Sequence, residues 1–414
     1  MITKIEALNY RCLRYVSQGL GNFHVLAGPN ASGKSTFLDV VAFMADVLNK
    51  GPLQAVGERA SDYQELFWMR EGQSFELAVE SAVPKELRTR VRNKDLDHCR
   101  YELSIGVLAG SGEVGILAER LWLFKGVRVE EKQVDLFPRS LPAPESISWP
   151  PRKKGARTLI NKVPGGNDNF YSETGRWSPV YRLGPQKSAL ASLSEDVEKF
   201  PVSTWFKKVL SEGTQVLSLN SRLMRLASPT WMPKRFRPDG ANLPWVVRHL
   251  RETDQGRFRQ WLEHIRTALP EVADVETVER EDDRSRYLVL RYANGLQIPS
   301  WLVSDGTLRF LALTLLPYLA GMRGIYLIEE PENGIHPKAM EAVYQSLSSV
   351  YDGQVLLATH SPIFLTLSEP SQVLCFAINE QGAADVIEGS RHPRLRNWRH
   401  EVVLGDLFAA GILG

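Results

Sequence analysis

The segment GPNASGKST, Gly28 to Thr36, has residue types and a spacing that suit phosphate binding. It fits the pattern G-x-x-x-x-G-K-[ST] and lies between an apolar stretch and an amphipathic one, which is the strand–loop–helix context that the pattern requires. Backbone N–H groups of such a loop can surround phosphate oxygens, Lys34 can reach the outer phosphates, and Ser35 can ligate Mg²⁺. The predicted phosphate-contacting residues are Gly28, Pro29, Asn30, Ala31, Ser32, Gly33, Lys34, Ser35 and Thr36.

Two adjacent carboxylates, Glu329 and Glu330, follow the apolar run IYLI. A carboxylate at the edge of a core is costly unless it meets a cation. In P-loop enzymes an acid that ends a neighbouring strand holds Mg²⁺ together with the loop hydroxyl. We therefore predict that Glu329 and Ser35 hold the metal, directly or through water, and that Glu330 orients and deprotonates the attacking water. The alternative interpretation is a solvated acidic turn.

Two further turns carry polar residues. In VSDGTLRFLALTLL, Ser304, Gly306 and the N–H groups beside them precede a predicted helix and can form a second anion site, although an ordinary helix N-cap gives the same pattern. In QVLLATHSP, His360 follows a third apolar run. It can sense the terminal phosphate or the attacking water, or it can be a strand-end histidine bonded to backbone.

The composition is that of an ordinary soluble protein. Of 414 residues 43% are hydrophobic and 24% are charged, and the net charge of +2 does not by itself argue for nucleic acid. The three cysteines show no zinc-type spacing and suit a reducing cytosol. There is no apolar segment of signal-peptide type at the start, and the run 310–321 is shorter than the roughly 18–20 residues that span a bilayer. We therefore expect a cytoplasmic protein without a membrane partner.

The elements that must position these residues follow from hydrophobic periodicity. Strands are predicted at 3–10, 23–28, 75–83, 101–109 and 115–124, with a hairpin turn at 109–115, and a helix is predicted from Lys34. Residues 125–179 are rich in proline and basic residues and are predicted to be irregular, and the pattern from about 188 to 270 is helical. A strand pair (286–303), a helix (307–319), a strand ending at the acids, a second helix (337–351) and two more strands follow.

Taken together and in this order, the four motifs resemble those of the ABC-type ATPase heads of the SMC, RecF and OLD families. They are more closely similar to those of the stand-alone ATPases of prokaryotic anti-phage defence operons. GPNASGKST is similar to Walker A, SDGTLR stands at the place of the signature motif, IYLIEEPENGIHP is similar to Walker B with the D-loop, and ATHS is similar to the H-loop. The resemblance implies ATP and Mg²⁺ as cofactors. It also implies that Ser304, Gly306 and His360 belong to the site.

The resemblance adds two candidates and shows three departures. LNYRCLR is similar to a family segment that would place Arg11 near the nucleotide, and Gln186 in RLGPQKSAL is the candidate Q-loop residue. Glu329 replaces the usual Walker B aspartate, and the D-loop lacks its usual aspartate. Asp305 replaces a glycine of the signature motif and would lie close to an arriving phosphate, which weighs against a strict transporter mechanism.

The implied fold class is α/β: an ABC-type P-loop ATPase head, with a mixed β-sheet core and an antiparallel β subdomain, and an inserted, mainly helical lobe. We expect the head in residues 1–124 and 285–414, and the insertion in 125–284. In this interpretation ATP joins two subunits head to head, as a homodimer or a higher homo-oligomer, and hydrolysis assisted by Glu330 releases them. The resemblance also implies a separately encoded effector protein, such as a nuclease, in a DNA-linked or anti-phage defence system.

Two alternative functions remain at this stage. One is an ATP-locked scaffold that sequesters an effector without hydrolysis, and the other is a transporter ATPase subunit that needs a membrane partner.

Basic segments make double-stranded DNA a second candidate partner, although charged helix faces are usually just solvated. The apolar end EVVLGDLFAAGILG either packs on its own core or docks a partner. The basic residues are Arg88, Arg90, Arg92 and Lys94; Arg152, Lys153, Lys154 and Arg157; and Arg222, Arg225, Lys234, Arg235, Arg237, Arg248, Arg251, Arg257 and Arg259.

Overall fold

The computed structural model describes residues 1–126, 133–150, 153–175, 178–321 and 323–395. These residues form two compact units. The first unit holds Met1–Thr214 and the described residues from Pro370 onward, and the second holds Gln215–Glu369. Within the described ranges, no helix combines the length and the apolar character that crossing a membrane requires.

The helices and strands follow one another in a mixed order. In chain order the strands are β1 (Ile2–Tyr10), β2 (Leu13–Gly19), β3 (Phe23–Ala27), β4 (Ser74–Ala82), β5 (His98–Val107), β6 (Val114–Phe124), β7 (Ala156–Lys162), β8 (Asp168–Phe170), β9 (Val180–Tyr181), β10 (Thr214–Leu217), β11 (Val272–Glu279), β12 (Arg286–Tyr292), β13 (Gln297–Pro299), β14 (Ile325–Glu329), β15 (Gln354–Ala358), β16 (Val373–Ile378) and β17 (Ala384–Glu388). The α-helices are α1 (Lys34–Lys50), α2 (Pro52–Gly57), α3 (Lys85–Arg88), α4 (Pro201–Ser211), α5 (Ser221–Arg225), α6 (Leu243–Thr253), α7 (Gln255–Ala268), α8 (Asp305–Leu315), α9 (Met340–Ser348) and α10 (Pro362–Thr366).

An eight-stranded antiparallel sheet makes up most of the first unit, in the order β2-β1-β4-β5-β6-β7-β8-β9. The predicted hairpin joins β5 to β6. The prediction that residues 125–179 are irregular is wrong for 156–162 and 168–170, because β7 pairs with β6 and β8 pairs with β7. These two strands are short, and the proline- and glycine-rich sequence around them hides their alternation. Pairing with β6 supplies the backbone hydrogen bonds that no local pattern indicates.

Parallel strands carry the phosphate-loop segment in the same unit. β3 pairs in parallel with β16, and β17 is antiparallel to β16. Helix α1 begins at Lys34 as predicted and continues to Lys50. Its apolar residues recur at helical spacing and are buried, and the Phe37 ring contacts the Phe376 ring of β16 at 5.4 Å between centroids.

The second unit is mixed α/β. Strands β14 and β15 are parallel, with β10 on the other side of β14, and β11, β12 and β13 form a separate antiparallel sheet. The predicted strand pair is present as β12 and β13, joined by a turn at Asn294–Gly295. Gly295 has φ 87°, a left-handed conformation that glycine adopts readily. Strands β2, β9, β10, β11 and β17 were not predicted, and β10 interrupts the stretch 188–270 that was predicted to be helical. The α/β class is confirmed, whereas the division at residues 124 and 284 stays a prediction.

A buried guanidinium holds part of the antiparallel sheet together. Arg100 on β5 is 1% exposed and lies 2.5 Å from Glu6 of β1, 2.8 Å from Glu80 of β4 and 2.7 Å from Glu102. It also donates to the carbonyl oxygen of Ile147, at 2.9 Å. Burial alone would raise the pKa of Glu6, but the charge of Arg100, together with Lys4, holds that pKa below its ordinary value.

Arg100→Met is expected to lower the free energy of unfolding by about 3–5 kcal/mol at pH 7, because it leaves buried carboxylates without their cation. Since the pKa of folded Glu6 lies below the ordinary value of 4.5, its stabilisation exists above that pH and is lost as the pH falls through the folded pKa. The difference between wild type and variant should therefore shrink in acid. Urea denaturation from pH 7 to pH 3 measures this difference, with Arg14→Met as control, because Arg14 is half-buried and bonds the neutral side chain of Gln381. Equal losses for both variants would contradict the expectation.

Candidate functional site

The loop between β3 and α1 approaches its neighbours too closely for side chains. Gly28 has φ 155°, and a Cβ there would lie 2.4 Å from the carbonyl oxygen of Phe376 and 2.8 Å from Ser32 Oγ. Gly33 has φ 101°, and a Cβ there would lie 2.8 Å from the Cβ of Ala384. Real Cβ atoms do not approach other atoms this closely, so glycine is required at both positions for steric as well as conformational reasons.

The polar groups of the loop point inward. Lys34 is 6% exposed, and its Nζ donates to the carbonyl oxygens of Gly28 and Pro29, both at 2.7 Å. Ser32 Oγ is buried and has no hydrogen-bond partner among the described residues. A buried ammonium on backbone carbonyls and an unsatisfied hydroxyl both gain from an anion with several acceptor oxygens. The first turn of α1 contains no acidic residue, which leaves its positive end favourable to phosphate.

The donor set of this loop therefore fits nucleotide phosphates. Pro29, Asn30, Ala31 and Ser35 are exposed, whereas Thr36 is half-buried and accepts a weak hydrogen bond from the Cys12 thiol at 3.6 Å. Burial raises the pKa of that thiol.

Arg11 lies next to this region, as expected. Its Nη1 is 3.7 Å from Asp39 of α1, and its Nη2 donates to the carbonyl oxygen of Arg59 at 3.1 Å. The following residue, Cys12, accepts a backbone hydrogen bond from Ala384 and would be 3.2 Å from a Cβ on Gly33. The Arg11 segment is thus packed beside the loop. Contact of Arg11 with a nucleotide stays a prediction.

Gln186 lies at the opposite end of α1. A Cβ on Gly51, the residue that follows this helix, would be 3.5 Å from the backbone oxygen of Gln186. The 17 residues of α1 span about 25 Å at about 1.5 Å per residue. The side-chain Nε2 of Gln186 donates to the carbonyl oxygen of Val114 at 2.8 Å. The structure therefore does not bring Gln186 to the phosphate loop, and the short sequence match around it gave no information about this distance.

The two acids predicted to follow an apolar strand lie at the end of β14 in the second unit. Glu329 is the last residue of this strand, and Glu330 follows it. Ile325–Ile328 are buried, whereas Glu329 and Glu330 are exposed. Glu330 has φ 45°, uncommon for a residue with a side chain, and its N–H donates to the carbonyl oxygen of Ala358 at 2.8 Å. The Asn333 amide donates to Glu330 Oε2 at 2.5 Å. Backbone and amide bonds thus hold the Glu330 carboxylate at the end of the strand pair.

A third carboxylate, Glu332, links this turn to the segment with His360. Its Oε1 accepts hydrogen bonds from the Thr359 hydroxyl at 2.7 Å and from the His360 N–H at 2.8 Å. Its Oε2 is buried and has no hydrogen-bond partner among the described residues. The sequence interpretation missed Glu332, although a third acid in EEPENG was a signal that could have been used. His360 lies two residues beyond the end of β15, and its position is fixed through its backbone N–H.

The turn at Ser304 begins α8 as a helix N-cap. Ser304 Oγ accepts from the Thr307 N–H at 3.2 Å, and a Cβ on Gly306 would lie 1.9 Å from the carbonyl oxygen of Gly334, so only glycine fits there. Asp305, which replaces the usual glycine, is 2.7 Å from Arg225 Nη2. This ion pair offsets the negative charge that the sequence placed near an arriving phosphate. Whether the turn binds an anion stays a prediction.

The basic segment 222–259 is less positive than its sequence indicates, because at least five of its nine cations lie within 4 Å of a carboxylate. Those five are Arg225, Arg237, Arg248, Arg251 and Arg257. Arg152 and the apolar segment 401–414 lie outside the described residues. DNA contact stays a prediction.

A glycine loop that follows a strand, a strand that ends in paired acids, and a glycine-containing turn that begins a helix define an ABC-type AAA ATPase that resembles SMC- and RecF-like heads. A family model matches residues 23–158 and 210–366, more than half of the chain. The chain belongs to this family, which is described as "AAA domain, putative AbiEii toxin, Type IV TA system".

Solved structures share the fold at low sequence identity. The chain is similar to an Smc head bound to the C-terminal winged-helix domain of ScpA, with TM-score 0.54, 12% identity, and 93% and 97% of the two chains covered. It is also similar to the Pyrococcus furiosus Smc head with an extended coiled coil, bound to the C-terminal domain of ScpA, with TM-score 0.51, 11% identity, and 93% and 95% covered. No curated protein matches the chain in sequence. At these identities the similarity concerns the fold.

Glu332→Ala is expected to lower the rate constant of ATP turnover by about tenfold or more with little change in KM for ATP, because the backbone of His360 loses its anchor. Glu332→Gln keeps one acceptor oxygen and should retain more activity. Steady-state kinetics measure both, with Glu341→Ala as a control, since Glu341 bonds the neighbouring Gln345 on the surface of α9. A Glu332→Ala protein with a lower melting temperature and an unchanged rate constant would show a merely structural role.

Proposed function

We propose that this protein binds ATP with Mg²⁺, hydrolyses it, and uses the cycle to join and release two subunits head to head. The observation that carries the proposal is the loop after β3, where the Lys34 ammonium lies on two backbone carbonyls and the Ser32 hydroxyl is buried without a partner in the described part of the chain. Such a loop is stabilised by several phosphate oxygens at once. Membership of an AAA ATPase family supports the same conclusion.

The residues take separate roles in this proposal. Lys34 and the loop N–H groups hold the phosphates, while Ser35 and Glu329 hold Mg²⁺, which when bound neutralises the charge of the transferred phosphoryl group. Glu330 accepts the proton of the attacking water. The amide of Asn333 occupies Oε2 of Glu330, and this leaves Oε1 for the water. His360, anchored through Glu332, contacts the terminal phosphate or that water.

The head-to-head arrangement uses the turn at Ser304. In the proposed dimer each subunit presents Ser304, Gly306 and the start of α8 to the nucleotide held by the other subunit. The positive end of an eleven-residue helix favours an anion there. The ion pair between Asp305 and Arg225 supports this arrangement, because it lowers the repulsion between the aspartate and a phosphate.

The wider role is regulatory. We propose that the ATPase acts as a sensor in a defence system and controls a separately encoded effector protein. Three observations support this: the motifs resemble those of stand-alone ATPases of anti-phage operons, the family description names a putative toxin of a type IV TA system, and the two similar Smc heads are described as bound to domains of another protein.

Lys34→Ala is expected to raise the dissociation constant for ATP about 100-fold, because it removes the one charged donor of the loop. Lys50→Ala is the matched control: it lies at the far end of the same helix and pairs with Asp46 and Glu58. ATP binding and turnover of the purified proteins measure the effect. Equal ATP affinity in both variants would refute the phosphate assignment. Tight ATP binding by wild type with negligible turnover would contradict the proposed ATPase activity and favour an ATP-locked scaffold.

Glu330→Gln is expected to bind ATP normally and to accumulate as an ATP-bound dimer, because the amide is a poor proton acceptor while the rest of the site is kept. Light scattering with saturating Mg²⁺ and ATP should give twice the monomer mass. Glu329→Gln is a useful comparison, since it should instead weaken Mg²⁺ binding and raise the Mg²⁺ concentration that turnover requires. A Glu330→Gln protein that remains monomeric in saturating ATP would eliminate the dimer from the proposal.

A further inference from the structure

A cleft of about 380 Å³ lies wholly within the second unit, and none of its residues has a role in the ATPase site proposed above. Helix α6 forms one wall, and Val246, His249, Leu250 and Thr253 face the cleft. Their spacing puts them on one side of the helix. The first turn of α7, the loop 234–236 and the segment that follows α8 form the other walls.

The floor of the cleft is apolar. Phe236, Val246 and Leu250 are buried and line it from below, and the half-buried ring of Tyr318 and the side chain of Leu319 close one side. Ligand pockets of about 300–1,000 Å³ combine such a floor with a few polar groups that fix the orientation of a ligand. The apolar surface therefore favours a ligand that has a flat or ring-shaped part.

The rim of the cleft is strongly positive. Lys234, Arg235, Arg257 and Arg323 line it, and Asp254 is the one carboxylate among its lining residues. Asp254 is already used, because its Oδ1 accepts from the N–H of Arg257 at 2.9 Å and its Oδ2 lies 3.4 Å from Arg257 Nε. Four cations against one acid leave an excess of positive charge around a small volume. An anion in the cleft would relieve that repulsion.

One of these cations, Arg235, is restrained by a hydrogen bond to a buried side chain. The hydroxyl of Tyr326, a buried residue of β14, is hydrogen-bonded to the Arg235 side chain. The bond restrains the position of the guanidinium at the lining of the cleft. An orientated guanidinium recognises phosphate oxygens by two parallel bonds, so this position favours a phosphate over a single charged atom.

We propose that this cleft binds one nucleotide unit, with its phosphate on the cationic rim and its base against the apolar floor. The positive rim favours an anion, the apolar floor favours a ring, and a nucleotide supplies both. The unit can be a free mononucleotide or one residue of a single strand, in which aromatic contact and a basic groove act together. A duplex presents its phosphates on a convex surface and would leave the apolar floor uncovered.

Photolabelling of the full-length wild-type chain with 8-azido-AMP tests the location. Labelled peptides are expected from residues 234–257 or 318–323, and they are distinguished by mass spectrometry from any label at the phosphate loop. The double variant Arg257→Ala/Arg323→Ala should lose the cleft label and keep the label at the loop. Labelling restricted to the loop, or cleft labelling that survives in the double variant, would overturn the proposal.

Affinity measurements separate the sources of the nucleotide. AMP, a short oligo-dT strand and inorganic phosphate are titrated against wild type, the double variant and the control Arg284→Ala, whose 79% exposed side chain lies outside the lining of the cleft. The double variant should raise the dissociation constant for AMP or oligo-dT at least about tenfold, and higher salt should weaken binding to wild type. Tighter oligo-dT than AMP binding identifies a single strand, and the reverse identifies a free nucleotide.

Two outcomes of these titrations would refute the assignment. One is phosphate binding as strong as AMP binding, since it would leave no role for the apolar floor. The other is equal affinity of the double variant and the control for every probe. Unchanged ATP turnover of the double variant would show that it folds normally, because neither arginine belongs to the ATPase site.

Discussion

The close contact between Gly28 and the backbone of Phe376 is the constraint on which the phosphate loop depends. A carbonyl oxygen of β16 occupies the space where any other residue would place its Cβ, 2.4 Å away. This approach exists because β3 and β16 pair in parallel and because the rings of Phe37 and Phe376 contact each other. The loop is therefore shaped by the hydrophobic core beneath it. Its polar interior, with Lys34 on the carbonyls of the loop, follows from that shape.

The same principle applies at the ends of β14 and β15 in the second unit. Parallel strands bring their carboxyl ends to one edge, so residues far apart in sequence become neighbours there. The N–H of Glu330 bonds to the last residue of β15, and Glu332 bonds to the two residues that follow it. These few hydrogen bonds fix the turn after β14 to the segment after β15. Removing a bonding side chain from one segment therefore changes the position of the other.

Ion pairs decide which charges of this protein are available to a ligand. Arg225 offsets Asp305 at the start of α8, and Arg100 offsets carboxylates from three strands of the antiparallel sheet. Paired cations attract a distant phosphate weakly, because their field is largely cancelled. In contrast, the rim of the cleft beside α6 has more cations than its single carboxylate can offset. A count of basic residues in the sequence does not distinguish these two situations.

The sequence by itself determined the α/β class, the strand–loop–helix at Gly28–Thr36, the helix from Lys34 and the acids at the end of an apolar strand. These features rest on local patterns, namely glycine in a loop, helical spacing and four apolar residues before two acids. Only the tertiary structure decided that β7 and β8 extend a sheet, that Gln186 lies at the far end of α1, and that Glu332 anchors His360. Each of these depends on a neighbour distant in sequence, such as a strand partner, the length of a helix or a carboxylate on another turn. Local periodicity and composition contain no information about such distant neighbours. These contacts form because they stabilise the folded state together, and that depends on residues throughout the chain.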